Sequence, residues 1–223
     1  MERITIDIVS DIVCPWCYLG KARLELAIAD VQDEIGVDIN WRPYRLNPEH
    51  PPEGVDHQRH LAEKLGGKDA MERAHGMLTE LGEEVGIRYN FEAIKIGPNT
   101  LDAHRLLHWA LMEGREAQDR VASALFKANF EEGRNVGDHA VLADIAEACG
   151  LDRKVIENLL KTDADKDTVL SEIDAAQKMG VNGVPFFIID GQYAVSGAQT
   201  PDVLSNALRE IAKLKGEARK SMI

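Results

Sequence analysis

The tetrapeptide Cys14-Pro15-Trp16-Cys17 constrains this chain more than any other feature, because of where it lies. Before it, Ile4, Ile6 and Ile8 alternate with Thr5, Asp7 and Val9, the period of a β-strand, and Ser10-Asp11 breaks the run. After it, Leu24, Ile28, Val31 and Ile35 recur at helical spacing, and Gly36 closes the helix. The cysteine pair therefore falls at a strand-to-helix junction. Pro15 lies in the first helical turn, where a missing N–H costs nothing. Unpaired backbone N–H groups at a helix N-terminus favour an anion. A thiolate at Cys14 is such an anion, and thiolate character makes a cysteine nucleophilic at neutral pH. Cys17, one turn further in, is placed to be shielded. Cys14 is thus read as the attacking sulfur and Cys17 as the resolving one.

A C-x-x-C can also belong to a zinc site, but structural zinc takes four ligands, usually from two such pairs or from a pair plus two histidines. No second pair exists. His104 and His108 stand four apart, far along the chain and without a supporting cysteine. The redox dithiol is the reading kept, with no metal. The third cysteine, Cys149, falls on the apolar face of an expected helix and reads as core. Three cysteines in 223 residues exclude a disulfide-stapled scaffold.

The outer segments organise around the dithiol. Val37 to Tyr44 reads as a second strand, so strand, helix and strand form a βαβ unit with a right-handed crossover. Near the other end, Phe186 to Ile189 and Gln192 to Val195 flank Asp190-Gly191, the signature of a tight hairpin. Thr200 then caps a last helix, with Pro201 at its first position and Val203, Leu204, Ala207, Leu208, Ile211 and Leu214 on its buried face. The middle, from about Asp56 to Met179, offers helices and no strand. These are expected over Lys68–Val85, Leu101–Met112 and Ala117–Phe130, then from Asp138 to Gly150, from Asp152, and from Asp165 to Met179. Asn47 to Val55, rich in proline and glycine, suits a hinge into this block. Trp41, Trp109 and the methionines read as core packing, and Glu83-Glu84 and Glu131-Glu132 as solvated faces. The expected fold class is α/β, with residues 1–50 and 180–223 forming one domain and 51–179 an inserted helical domain.

A formal charge of −12 argues against binding a phosphate backbone. No apolar run is long enough for a membrane span, and the first residues lack the basic head and unbroken apolar stretch of a secretory signal. The expected compartment is the cytoplasm, with no nucleic acid and no membrane as partner. An apolar stripe on any middle helix could be core or a homodimer contact.

A C-x-x-C at such a junction, inside βαβ…ββα split by helices, resembles the thioredoxin-like fold of the DsbA family, over nearly the whole chain. Four strings resemble its cytosolic FrnE-like branch: Ser10 to Tyr18, Arg42 to Pro48, Pro98-Asn99-Thr100 through Ala103-His104-Arg105, and Gly180 to Phe187. The resemblance implies a thiol–disulfide oxidoreductase or isomerase acting on thiol- or disulfide-containing proteins or small thiols. Such an enzyme needs no cofactor, and glutathione or a thiol protein is its electron partner. It further implies that Cys14, Pro15, Trp16, Val184 and Pro185 form the active-site loops, the Val184–Pro185 bond being cis and opposite the dithiol. On the residues alone, Gly183-Val184-Pro185 equally well starts a strand, where proline is permitted. Asn47, Asn99 and His104 fall in strings that the resemblance places near the cleft, as candidate substrate contacts, although His104 and His108, which share a helix face, read on the residues alone as ordinary interior or interface histidines.

Two departures from the family pattern matter. Trp16 stands where the best-known member has a histidine that can stabilise the thiolate, so strongly oxidising behaviour is not carried over. Ile8 stands where many relatives hold a buried carboxylate, so proton transfer at Cys17 needs another route, by water or Asp11, unless Asp11 simply caps the loop. Two further functions fit the same superfamily. One is a glutathione-dependent isomerase similar to 2-hydroxychromene-2-carboxylate isomerase, in which the second cysteine is dispensable. The other is a redox-coupled chaperone that holds unfolded chains in the cleft.

Overall fold

A computed structural model describes residues 1–221, so the last two positions of the 180–223 segment, Met222 among them, lie outside the described residues. Strand β1 (Glu2–Ser10) leads through the cysteine loop into α1 (Pro15–Val31), and β2 (Ile35–Pro43) returns parallel to β1. The next segment holds β3 (Val55–Asp56), α2 (His57–Leu65), α3 (Lys68–Glu83), a 3₁₀ turn (Phe91–Ala93) and β4 (Ile96–Gly97). Five helices follow: α4 (Leu101–Met112), α5 (Arg115–Phe130), α6 (His139–Ala148), α7 (Arg153–Leu160) and α8 (Lys166–Lys178). The hairpin β5 (Phe186–Ile189) and β6 (Tyr193–Ser196) and the helix α9 (Pro201–Ser221) complete the order.

The main sheet runs β2-β1-β5-β6, with β1 and β2 parallel and the other neighbours antiparallel. The thioredoxin-like α/β fold is therefore present as a mixed sheet amid many helices. Ile4, Ile6 and Ile8 of β1 are buried in the main core with Leu24, Ala27 and Val31 of α1 and Leu204, Leu208 and Ile211 of α9. The intervening residues carry polar links: Arg3 pairs with Asp38, and Asp7 accepts hydrogen bonds from Asn40 and Arg42. Helices α4, α5 and α8 pack against β2, where the Trp41 indole N–H donates to Asp119 at 2.9 Å.

Aspartates start the middle helices as their positions suggest. Asp138 and Asp152 each accept backbone N–H bonds from the first turn of α6 and α7. Several boundaries differ from the sequence expectation. Helix α1 stops at Val31, and Ile35 and Gly36 belong to β2, because the parallel register pairs Glu2 with Ile35 from the first residue of β1. The middle is not strand-free: β3 and β4 pair antiparallel and tie residues 55–56 to the loop before α4. Helix α2 was not expected, although Asp56 caps it and Gly66 ends it at φ +85°. Cys149 follows α6 as its C-cap, half-buried, rather than lying within the helix. Val203 and Leu214 of α9 are exposed, because the buried stripe is narrower than the apolar one. Of the described methionines, Met71 is buried, whereas Met1, Met77, Met112 and Met179 are exposed.

Candidate active site

The junction after β1 places both cysteines. Cys14 is the N-cap of α1, with Pro15 at the first helical position. The Cys14 carbonyl accepts the N–H groups of Cys17 (3.0 Å) and Tyr18 (3.3 Å), and its own N–H donates to the Asp11 carbonyl at 3.0 Å. Both cysteines are free thiols. Cys17 is shut in, at 1 % exposure. Burial pushes its thiol well up from the ordinary range, and the neighbouring Cys14 adds to this. The Ser10 hydroxyl and the Asp11 backbone act on it in the opposite sense, favouring the thiolate.

The Cys14 thiol donates to the carbonyl oxygen of Val184 across an S···O distance of 3.7 Å. The Val184–Pro185 peptide is cis. Helix α1 approaches this loop so closely that a β-carbon on Gly20 would lie 2.9 Å from the Pro185 ring. From the other side, the Tyr89 hydroxyl donates to the Pro15 carbonyl at 2.6 Å. Tyr89 is braced by Phe91, stacked at 4.9 Å, and by the edge of Tyr18.

Cys14 opens onto a cavity of about 370 Å³, lined by Trp16 and the rest of its own loop, by Gly183 and Val184, and by α2, α3 and the loops around Asn47 and Pro98. The lining is mostly apolar, with Leu46, Leu61, Leu78 and Phe130 prominent. Its polar part is distinctive: His50, His57, His60 and His75 all border it. The His50 and His60 rings meet edge to face at 4.6 Å, and His75 stacks on Phe91 at 4.0 Å. Burial, reinforced by the neighbouring His75 and His60, lowers His57 to about 4, and burial also lowers His60 and His75. The lowering favours the neutral form of all three rings. At the rim, Lys64 donates to the Asn47 side-chain oxygen at 2.8 Å. Among the described residues no group of three or more His, Cys, Asp or Glu is arranged to hold a metal ion.

The candidate substrate contacts separate. Asn47 borders the cavity. Asn99 is committed to the loops: its oxygen accepts from Arg45 and from the Leu101 N–H, and its amide donates to the His50 carbonyl. His104 is 2 % exposed and lies away from the cavity lining. It faces Asp11 instead, with Nε2 3.4 Å from a carboxylate oxygen. The other Asp11 oxygen accepts the Leu46 N–H at 2.8 Å, so Asp11 does hold the loop together.

The residues that sequence reasoning missed are the cavity histidines and Tyr89. His50, the His57/His60 pair on α2, and His75 come from three separate segments, so no local pattern joins them. The helix carrying two of them was nonetheless signalled by Asp56 before it, Lys64 in its last turn and Gly66-Gly67 after it.

Comparison with known proteins places this architecture. The family described as DSBA-like thioredoxin domain matches residues 5–209. The chain is similar to the uncharacterized protein YwbO of Bacillus subtilis (strain 168), with 29 % identity over 215 residues, covering 95 % of this chain and 99 % of that one. Among solved structures it resembles a probable DsbA oxidoreductase from Streptomyces coelicolor, with 33 % identity, coverage of 93 % and 89 %, and a TM-score of 0.83. A 2-hydroxychromene-2-carboxylate isomerase shares the fold at 19 % identity, coverage of 96 % and 98 %, and a TM-score of 0.70. So does the cytosolic disulfide reductase DsbM from Pseudomonas aeruginosa, at 16 % identity, coverage of 94 % and 99 %, and a TM-score of 0.63.

Proposed function

This chain belongs to the DSBA-like thioredoxin domain family, and on that footing we propose that it is a thiol–disulfide oxidoreductase in which Cys14 attacks and Cys17 resolves. The observation that carries the reading is the asymmetry of the two sulfurs. Cys14 caps a helix and borders the cavity, while Cys17 is sealed one turn behind it. In the forward sense, the Cys14 thiolate attacks a substrate disulfide, forms a mixed disulfide and releases one substrate thiolate. Cys17 then displaces the second and leaves Cys14–Cys17 oxidised; the reverse sequence oxidises a dithiol. Trp16, Pro15, Val184 and Pro185 frame the attacking sulfur, and Asn47 lies at the cavity rim. We place the reaction in the cytoplasm, with glutathione or a thiol protein restoring the dithiol; a neighbour of the same fold, DsbM, has also been solved with GSH.

Replacement of Cys14 by Ser is expected to abolish exchange with disulfide substrates, and Cys17→Ser to accumulate mixed disulfides on Cys14. Full exchange by Cys14→Ser would overturn the assignment. The mostly apolar cavity beside Cys14 favours one second reading, a glutathione-dependent isomerase of small molecules. Full turnover in Cys17→Ser would select it, because only the disulfide reaction requires the second sulfur.

A further inference from the structure

The cavity beside Cys14 gathers polar atoms that nothing else in the chain satisfies. Among the described residues, eleven buried side-chain nitrogen and oxygen atoms lack a hydrogen-bond partner. Five of them belong to residues lining this one cavity: Nε2 of His50, His57, His60 and His75, and Oδ1 of Asn129. Buried polar side chains are normally paired, so orphans concentrated at one place point to a group that comes from outside the chain. Two of these side chains are more than nine-tenths buried, His50 at 5 % exposure and Asn129 at 2 %. They reach the cavity from different elements, the loop after β2 and the helix α5.

His50 fixes what that group must offer. Its Nδ1 lies 3.3 Å from the Pro98 carbonyl, which can only accept, so Nδ1 carries the ring proton. In the neutral ring Nε2 is then a bare acceptor. Asn129 adds an amide that accepts through its oxygen and donates through its nitrogen. The partner therefore needs a donor, and an atom that can also accept suits the amide.

The rest of the lining decides charge and shape. Among the described residues that line the cavity none is acidic. The single lysine, Lys64, is exposed at the rim and already donates to Asn47. A charged group seated inside would stay unpaired, which is costly. Glutathione, with two carboxylates and an ammonium, is poorly matched to such an interior. The walls are instead largely flat: the rings of Trp16, Phe91 and Phe130 join those of the histidines. Aromatic partners stack on, or meet edge to face, surfaces of this kind. A volume of about 370 Å³ lies in the range of small-ligand sites.

We propose that this cavity is a subsite for a neutral aromatic ring bearing a hydroxyl group, with His50 and Asn129 as the side chains that pair with the hydroxyl. Cys14 and Val184 share the lining, so a ring held there lies beside the reacting sulfur. Two sources present this chemistry, a tyrosine flanking the cysteine of a substrate chain and a free phenol. The inference rests on the dithiol reading of the site, for which it names the substrate feature selected.

The test uses short peptides whose one cysteine is disulfide-linked to mercaptoethanol and flanked by tyrosine, phenylalanine or glutamate. Quenched reactions with the reduced protein, resolved by chromatography, give a second-order rate constant for each. A site that pairs a hydroxyl rejects the analogue lacking it, so the tyrosine peptide should outpace the phenylalanine one by about tenfold or more, with the glutamate peptide slowest. In His50→Phe and in Asn129→Leu that ratio should fall toward unity, and a general loss of activity does not move a ratio. Binding of p-cresol separates the sources: binding without a tyrosine preference assigns the subsite to a free phenol. Equal rates for tyrosine and phenylalanine without p-cresol binding, a preference for the glutamate peptide or for glutathione disulfide, or a tyrosine preference unchanged in both variants would overturn the proposal. Should the variants fail to fold, imidazole NMR of the parent protein decides: p-cresol or the tyrosine peptide should shift His50 and leave His104 in place, and an unmoved His50 would refute the assignment. If the reduced protein reacts with none of these disulfides, nor with hydroxyethyl disulfide, it is the dithiol reading that fails, and p-cresol binding still decides the subsite.

Discussion

Gly20 and Pro185 touch across 165 residues of chain, so closely that a β-carbon on the glycine would stand 2.9 Å from the proline ring and 3.3 Å from Phe187. A helix interior ordinarily prefers alanine to glycine by about 1 kcal/mol. Overpacking a tight contact costs roughly 1–3 kcal/mol. Gly20→Ala is therefore expected to lose about 1 kcal/mol net, and Gly20→Val considerably more. Both should slow disulfide exchange, because the displaced loop carries the Val184 carbonyl that meets Cys14. Chemical denaturation and a stopped-flow exchange assay check the two effects separately, and a stabilised Gly20→Val would show that the loop yields freely.

Tyr89 acts as a strut. Its hydroxyl hydrogen-bonds the Pro15 carbonyl at 2.6 Å, inside an aromatic cluster. Tyr89→Phe keeps the ring packing and removes that hydrogen bond, a loss of about 0.5–1.5 kcal/mol. Thermal melting should report this, together with a looser dithiol loop seen as altered Trp16 fluorescence.

Acid should weaken the fold through the cavity. His57 is lowered from 6.5 to about 4 by burial and neighbouring histidines. The unfolded chain thus takes up a proton at higher pH than the folded one. The stability that His57 contributes is intact above pH 6.5 and is lost as pH falls toward 4. At one pKa unit per 1.36 kcal/mol the loss approaches roughly 3 kcal/mol. His57→Gln should flatten the decline in melting temperature between pH 7 and pH 4, and an unchanged slope would place the acid sensitivity elsewhere.

Trp16 offers the dithiol no charge. Placing a histidine there adds a group able to stabilise the Cys14 thiolate, which favours the reduced form. Trp16→His should therefore be the stronger oxidant. In glutathione buffers its dithiol/disulfide ratio should rise about tenfold for each ~30 mV gained. A ratio unchanged by the substitution would mean that the helix N-terminus alone governs the thiolate.

The sequence disclosed those parts of the fold whose signals are local. Alternation at Ile4, Ile6 and Ile8 marked β1, aspartates at 138 and 152 marked helix starts, and Asp190-Gly191 marked the hairpin. The cysteine pair announced its own junction. What it did not disclose depends on partners distant in the chain. Ile35 looked helical by spacing, but parallel pairing with Glu2 makes it strand. The two-residue strands β3 and β4 are too short to carry a period. His104 reads as an interior or interface histidine and is indeed buried, but its approach to Asp11 is set by the packing of α4 and no local pattern announces it. The histidines around the cavity converge only in three dimensions.

Cys14 and Val184 meet across 170 residues. A ribosome adding about 5–20 residues per second needs roughly ten to thirty seconds to make the intervening chain. Throughout that interval both thiols exist without the Val184 loop, and so without the closed site that distinguishes one sulfur from the other. The pair is therefore born as two ordinary cysteines and acquires its division of labour only when translation is almost finished.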